Sequence, residues 1–290
     1  MEHFDLFAGE RTLYGMLWPA QQARAVLCLI HGMGEYAERY DTTARFYQRN
    51  GLHVAGIDLP GYGHDTGPKG HIGTREEIMG VLQALVNYVK YRFPGLPIFF
   101  FGHSLGGNLC LTYRMTTRRQ DIAGYILSSP WLRLYFPLSV AKILALRTTA
   151  RIAPRKLFNI KSTLKQEKQL LNQSPPRRPA DVGADFIRDE LLRPYATVHT
   201  MVSRMRDAKL ILAHPEKSRV PLFVFQGDHD RVCSAEASRQ FVKQSGSACR
   251  FVPVKNGGHE TMHHPDYFKV LAQSLDFVNT ILERRGRSSC

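Results

Sequence analysis

The chain has 290 residues, 43% of them apolar and 22% charged, and a formal net charge of +14. That composition excludes disorder throughout, and the length supports a core that needs neither disulfide nor metal staples. At roughly 150 residues per domain, it fits two domains or one large α/β domain with an insertion.

His3 to Ala8 and Thr12 to Trp18 read as a hairpin turned at Gly9-Glu10. Ala25 to Ile30 is a continuous apolar strand, the pattern of a sheet buried on both faces, and it runs into His31-Gly32-Met33-Gly34. Glu35 to Arg49 reads as a helix stopped by Asn50-Gly51, and Leu52 to Leu59 as a strand ended by Pro60-Gly61. Thr74 can cap a helix through Tyr91, with Glu76 and Glu77 in its first turn. Pro97 to Phe101 is a strand, Leu105 to Thr117 a helix and Ala123 to Ser128 a strand. Such alternation implies right-handed crossovers and a mostly parallel sheet.

The rhythm then stops. Trp131 to about Pro215 offers helical patterns broken by Pro154, Pro175-Pro176 and Pro179, with no convincing strand. It resumes with a strand at Leu222 to Gln226, a helix at Ser234 to Gln244, a strand at Arg250 to Val254 and a helix from Pro265 to Arg284. One sheet domain (1–130 and 216–290) interrupted by a helical cap (131–215) accounts for this better than tandem domains.

The positive charge is uneven. Between Trp131 and Ala180 lie Arg133, Lys142, Arg147, Arg151, Arg155, Lys156, Lys161, Lys165, Lys168, Arg177 and Arg178, against the single acid Glu167. No nucleic-acid-binding motif accompanies them, so no nucleic-acid partner is expected. Apolar residues such as Trp131, Tyr135, Phe136, Val140 and Leu144 share the stretch. A segment both apolar and cationic can rest on an anionic membrane surface, although the same apolar residues could equally seal a cap onto the core.

No apolar run reaches the ~18 residues that span a bilayer. The first residues carry Glu2 and Asp5 where a signal peptide would be basic and then apolar, so a cytoplasmic chain, at most peripheral at the inner membrane surface, is expected. Cys28, Cys110, Cys233, Cys249 and Cys290 form no CxxC pair, which argues against a disulfide framework and a zinc cluster.

Gly102-His103-Ser104-Leu105-Gly106 matches G-x-S-x-G with an apolar strand before it and a helix after it, the context that a nucleophile elbow requires. A serine hydroxyl attacks only when a base takes its proton. In this class of fold the chain order is serine, acid, histidine. Asp230 lies 126 residues after Ser104, just past the strand PLFVFQ, and His259 lies 29 further on, just past RFVPV. Asp228 competes for the acid role but sits nearer the strand end. An oxyanion hole needs two N–H donors. Leu105, after the nucleophile, can supply one, and Met33, in the glycine-rich loop, the other.

His259-Glu260-Thr261-Met262-His263 also spells H-E-x-x-H, a zinc-protease signature. That chemistry needs both histidines on one helix face. Gly257-Gly258 before the segment and Pro265 after it argue for a loop with at most one turn, so no metal and no other cofactor is expected.

These residues resemble the α/β-hydrolase superfamily, and within it the monoacylglycerol lipase and lysophospholipase group, also filed with the serine aminopeptidases. The likeness is strongest in His31-Gly32-Met33-Gly34-Glu35, Arg39-Tyr40, Asp58-Leu59-Pro60-Gly61-Tyr62-Gly63, Gly102 to Gly107 and Gln226 to Asp230. The resemblance implies a triad of Ser104, Asp230 and His259 and an oxyanion hole of Met33 and Leu105. It also puts Glu35, Arg39 and His103 at positions bordering the glycerol-binding end of the pocket. Asp65 departs from the serine usual in the family's G-x-G-x-S turn, which should alter only local hydrogen bonding. Met262 departs from a second histidine found near the leaving alcohol, which bears on the glycerol assignment.

The expectation is therefore a metal-free serine hydrolase that cleaves carboxylic esters, with monoacylglycerols or lysophospholipids as substrates. A general short-chain carboxylesterase is the first alternative. An aminopeptidase and a non-catalytic binding module on the same scaffold are weaker ones.

Overall fold

The computed structural model describes residues 1–116, 121–159, 190–217 and 220–287. Its centre is an eight-stranded sheet whose members, in chain order, are β1 (Glu2–Ala8), β2 (Arg11–Trp18), β3 (Ala25–Ile30), β4 (Leu52–Ile57), β5 (Ile98–His103), β6 (Ile122–Ser128), β9 (Leu222–Gly227) and β10 (Cys249–Val254). In space they run β1-β2-β4-β3-β5-β6-β9-β10. The β1–β2 hairpin and the β2–β4 pair are antiparallel, and every other pairing in this sheet is parallel.

All residues of β3, β5, β6 and β9 are buried, as their unbroken apolar runs require. Alternate side chains feed two separate cores, because successive Cβ atoms point to opposite faces. Val26, Cys28, Ile30, Ile98 and Phe100 face one core, packed by α2 (Arg75–Arg92) and α3 (Leu105–Thr116). Ala25, Leu27, Leu29, Phe99 and Phe101 face the other, packed by α1 (Asp41–Arg49) and the carboxy-terminal helix α7 (Tyr267–Arg287). A further described helix, α6, spans Ala235–Gln244 and packs beside β10.

Local sequence sets the helix ends. Thr74 and Glu77 form a reciprocal capping box at the start of α2. The helix expected from Glu35 is instead a 3-10 turn over Ala37–Tyr40 followed by α1, because the Ala37 N–H is drawn to Asp58 Oδ1 at 2.7 Å and the entering chain is bent around that contact.

Between β6 and β9 the structure corrects the expectation of helices alone. A helix α4 (Val140–Ile152) leads to a strand β7 (Leu157–Asn159), which pairs antiparallel with β8 (Tyr195–Thr197) ahead of helix α5 (Val198–Ala213). Strands of three residues leave too short a pattern for alternation to register. Lys161, Lys165, Lys168, Arg177, Arg178, Glu167 and the prolines at 175, 176 and 179 lie outside the described residues, as does Cys290. No helix among the described residues is long and apolar enough to cross a membrane.

Candidate active site

β5 ends in a tight turn into α3. Ser104 sits at φ +49°, a strained conformation for a residue with a Cβ. Its N–H is held by the Ser128 carbonyl at 3.0 Å, and its carbonyl receives the Trp131 and Asn108 N–H groups at 3.0 and 3.1 Å. A Cβ on Gly106 would lie 2.1 Å from the Ile30 carbonyl oxygen, and one on Gly102 would lie 2.7 Å from Gly106. Glycine at these two positions is what lets α3 close against β3 and β5. Leu105 is the first residue of α3, so its N–H is one of the helix-start donors without an intrahelical acceptor.

The two other polar groups arrive from β9 and β10. A Cβ on Gly227 would lie 2.0 Å from the Gly257 carbonyl oxygen, so the glycine allows the loops after the two strands to touch. The His229 N–H then bonds that same carbonyl at 3.0 Å. Across this contact Asp230 Oδ2 and His259 Nδ1 stand 2.9 Å apart, and His259 Nε2 stands 2.9 Å from Ser104 Oγ. The competing Asp228 is exposed.

Asp230 is buried and every one of its lone-pair directions is used. Oδ1 accepts the Val232 and Cys233 N–H groups, both at 2.8 Å, and Oδ2 accepts the Gln226 amide at 2.8 Å in addition to His259. Such a carboxylate holds its partner imidazole in one tautomer. The His259 carbonyl is pinned by Ser129 Oγ at 2.9 Å, with Ser129 itself at φ +46°. Gln226 and Ser129 escaped sequence reasoning. A polar residue closing the apolar strand LFVFQ was the available signal for Gln226; for Ser129 there was none.

The loop after β3 is fixed from beneath. The Leu59 N–H donates to His31 Nε2 at 2.8 Å, so the ring proton sits on Nδ1 and donates to the Gly32 carbonyl at 2.7 Å. Burial lowers the His31 pKa, outweighing the attraction of Asp58, and keeps this ring neutral. Met33 follows, half-buried against the core. Glu35, Arg39 and His103 lie together next to this loop: Glu35 Oε2 accepts the Gly32 N–H at 2.9 Å, Arg39 Nε bonds Glu35 Oε1 at 3.1 Å, and His103 Nδ1 is 3.1 Å from Ser128 Oγ.

His263 is carried on a 3-10 turn, Thr261–His263, so the H-E-x-x-H string does not lie along one α-helix. Met262 packs against the core of α1 and α7. Asp65 braces its own turn, accepting the Gly61 and Gly67 N–H groups at 2.6 and 3.1 Å. Cys28, Cys110, Cys233 and Cys249 form no disulfide with one another.

A mostly parallel sheet flanked by helices, with a serine on its elbow hydrogen-bonded to a histidine and through it to an aspartate, defines an α/β-hydrolase. Residues 21–266 match the family described as serine aminopeptidase, S33, and the chain belongs to that family. It is 32% identical to phospholipase YtpA of Bacillus subtilis over 74% of this chain and 79% of that protein. It is 26% identical to the monoglyceride lipase of Rattus norvegicus over 96% and 89%. The crystal structure of a monoacylglycerol lipase from Paleococcus ferrophilus superposes with a TM-score of 0.77 at 23% identity, covering 93% of this chain and 98% of that one.

Proposed function

We propose that the protein is a serine hydrolase that cleaves carboxylic esters of the monoacylglycerol or lysophospholipid type through an acyl-enzyme. The observation that carries this reading is the unbroken relay Ser104 Oγ, His259 Nε2, His259 Nδ1, Asp230 Oδ2, with both links at 2.9 Å. His259 takes the Ser104 proton as the hydroxyl attacks the acyl carbon, then returns it to the leaving alcohol; water repeats the cycle to free the acid. Asp230 holds the ring and offsets its charge. Leu105 and Met33 supply the two N–H donors to the oxyanion, each worth about 3 kcal/mol of transition-state stabilisation. The names of the relatives, a phospholipase and a monoglyceride lipase, favour a single-chain lipid ester over a short-chain one.

In the same reading residues 131–215 act as a cap over the elbow, and the cap meets anionic lipid. None of the residues of α4 is buried. Val140, Leu144 and Ile152 are 82%, 64% and 79% exposed, with Phe136 beside them at 61%. Lys142, Arg147 and Arg151 on α4 and Arg133, Arg155 and Lys156 around it are exposed as well, and no acid occurs between residues 131 and 159. Exposed apolar side chains interleaved with cations suit contact with the interface of an anionic bilayer.

A series of p-nitrophenyl esters from acetate to palmitate, run beside Ser104→Ala, tests the chemistry. Activity rising to medium and long chains, and absent in the variant, is the expected outcome. An optimum at acetate or butyrate would favour a general esterase, and turnover of aminoacyl amides in preference to esters would favour a peptidase. Sedimentation with vesicles tests the cap: equal binding to anionic and neutral lipid would remove the membrane reading.

A further inference from the structure

Four charged or titratable side chains sit beside the relay without belonging to it, Glu35 and His103 buried and Arg39 and Glu260 half-buried. Glu35 is 5% exposed, and its carboxylate accepts the Gly32 N–H at 2.9 Å, the Tyr40 hydroxyl at 2.6 Å and Arg39 Nε at 3.1 Å. His103, 1% exposed, places Nε2 3.5 Å from Glu260 Oε1. Glu260 directly follows His259.

Electrostatics closes the circuit. Burial alone would raise the Glu260 carboxyl, yet His103, Arg39 and His259 hold it well below its ordinary range. Burial would lower Arg39, yet Glu35 and Glu260 more than reverse that. Arg39 therefore feels both carboxylates, one on the loop after β3 and one on the loop after β10. There is no slack on the glycine side either: a Cβ on Gly32 would fall 2.6 Å from Glu35 Oε2 and 2.9 Å from His103 Cδ2.

We infer that Glu35, Arg39, His103 and Glu260 form a clamp that positions the oxyanion loop, the elbow and the histidine loop relative to one another, with Glu260 as the positioning residue that ties His259 into it. This rests on the ester-hydrolase reading above and deepens it. It also assigns Glu35, Arg39 and His103 a different task from contact with the leaving alcohol. The Glu35 carboxylate and Arg39 Nε are engaged by protein, and His103 Nε2 faces Glu260 Oε1 at 3.5 Å. The three loops come from residues 31–35, 102–104 and 257–263, and the clamp adds to the β3–β5 pairing and to the Ser129 bond on the His259 carbonyl that already hold them. A displacement of one by about 1 Å is enough to cost on the order of 10²-fold in rate.

The two tasks predict different kinetics. Glu35→Gln and Glu260→Gln are assayed on a monoacylglycerol and on the p-nitrophenyl ester of the same acid, with kcat and KM separated and folding followed by circular dichroism. The clamp predicts a kcat loss of on the order of 10²-fold, equal on both esters, with KM unmoved. Arg39→Lys, which keeps the charge but not the fork, provides a gentler variant and should show the same shared loss at smaller size. A loss confined to the glycerol ester, or one carried by KM, would overturn the clamp and restore alcohol contact. Unchanged kcat in a folded Glu260→Gln would overturn it as well. Wild-type protein that cleaves neither ester would sink the ester reading itself, a result distinct from any variant outcome.

Discussion

The carboxyl end of the sheet and the α4 segment are opposites in how their sequences are used. Around Ser104 nearly every side chain has a partner: residues 105 to 114 of α3 are all buried, and Asp230 makes four hydrogen bonds. On α4 no side chain is buried, although Val140, Ile143, Leu144 and Leu146 are as apolar as anything in α3. The first region spends its residues on fixing geometry. The second leaves apolar side chains exposed. Chemistry that tolerates errors of tenths of an ångström needs the first kind of environment, and contact with a fluid surface needs the second.

Substitutions can break this contrast at either end. The largest effect is expected from Ser104→Ala, a loss of about 10⁶-fold in kcat with an unchanged circular dichroism spectrum, measured on the preferred ester. Asp230→Asn should follow at about 10⁴-fold, because an amide at Oδ2 favours the wrong tautomer of His259. Gly106→Ala should lower stability by about 3 kcal/mol in urea unfolding, since its methyl would meet the Ile30 carbonyl, which belongs to the β3 backbone and cannot swing aside. Lys142→Gln and Arg147→Gln should each weaken binding to anionic vesicles by about 1 kcal/mol, an effect that fades as salt is raised. Smallest of all, Leu144→Ser should change unfolding stability by no more than about 0.5 kcal/mol while still reducing vesicle binding. A destabilisation of several kcal/mol there would show that α4 is packed, and the contrast would fail.

Much of the site was legible because its determinants are local. The apolar runs of β3, β5 and β9 mark strands buried on both faces, and the glycines around Ser104 mark a turn that admits no other residue. Asp230 and His259 could be placed because each follows such a strand. What stayed hidden depends on partners far away in sequence. Gln226 supports Asp230 only because the turn after β9 folds back on it, and Glu260 reaches His103 only once β5 and β10 end on the same side of one sheet. The β7–β8 ribbon was invisible for another reason: strands of three residues, separated by 35 residues, carry no periodicity to read. The 3-10 start before α1 likewise follows from Asp58, which β4 delivers to Ala37. The exposed face of α4 could not be told from a packed one, since apolar residues look alike whether or not something covers them.

The central claim is that Ser104 is the nucleophile, and covalent labelling addresses it most directly. A fluorophosphonate ester, incubated with the protein and followed by intact mass and peptide mapping, should give one adduct per chain, located on the peptide that carries Gly102 to Gly107 and absent from Ser104→Ala. An adduct mapped elsewhere, or full ester turnover by Ser104→Ala, would contradict the account.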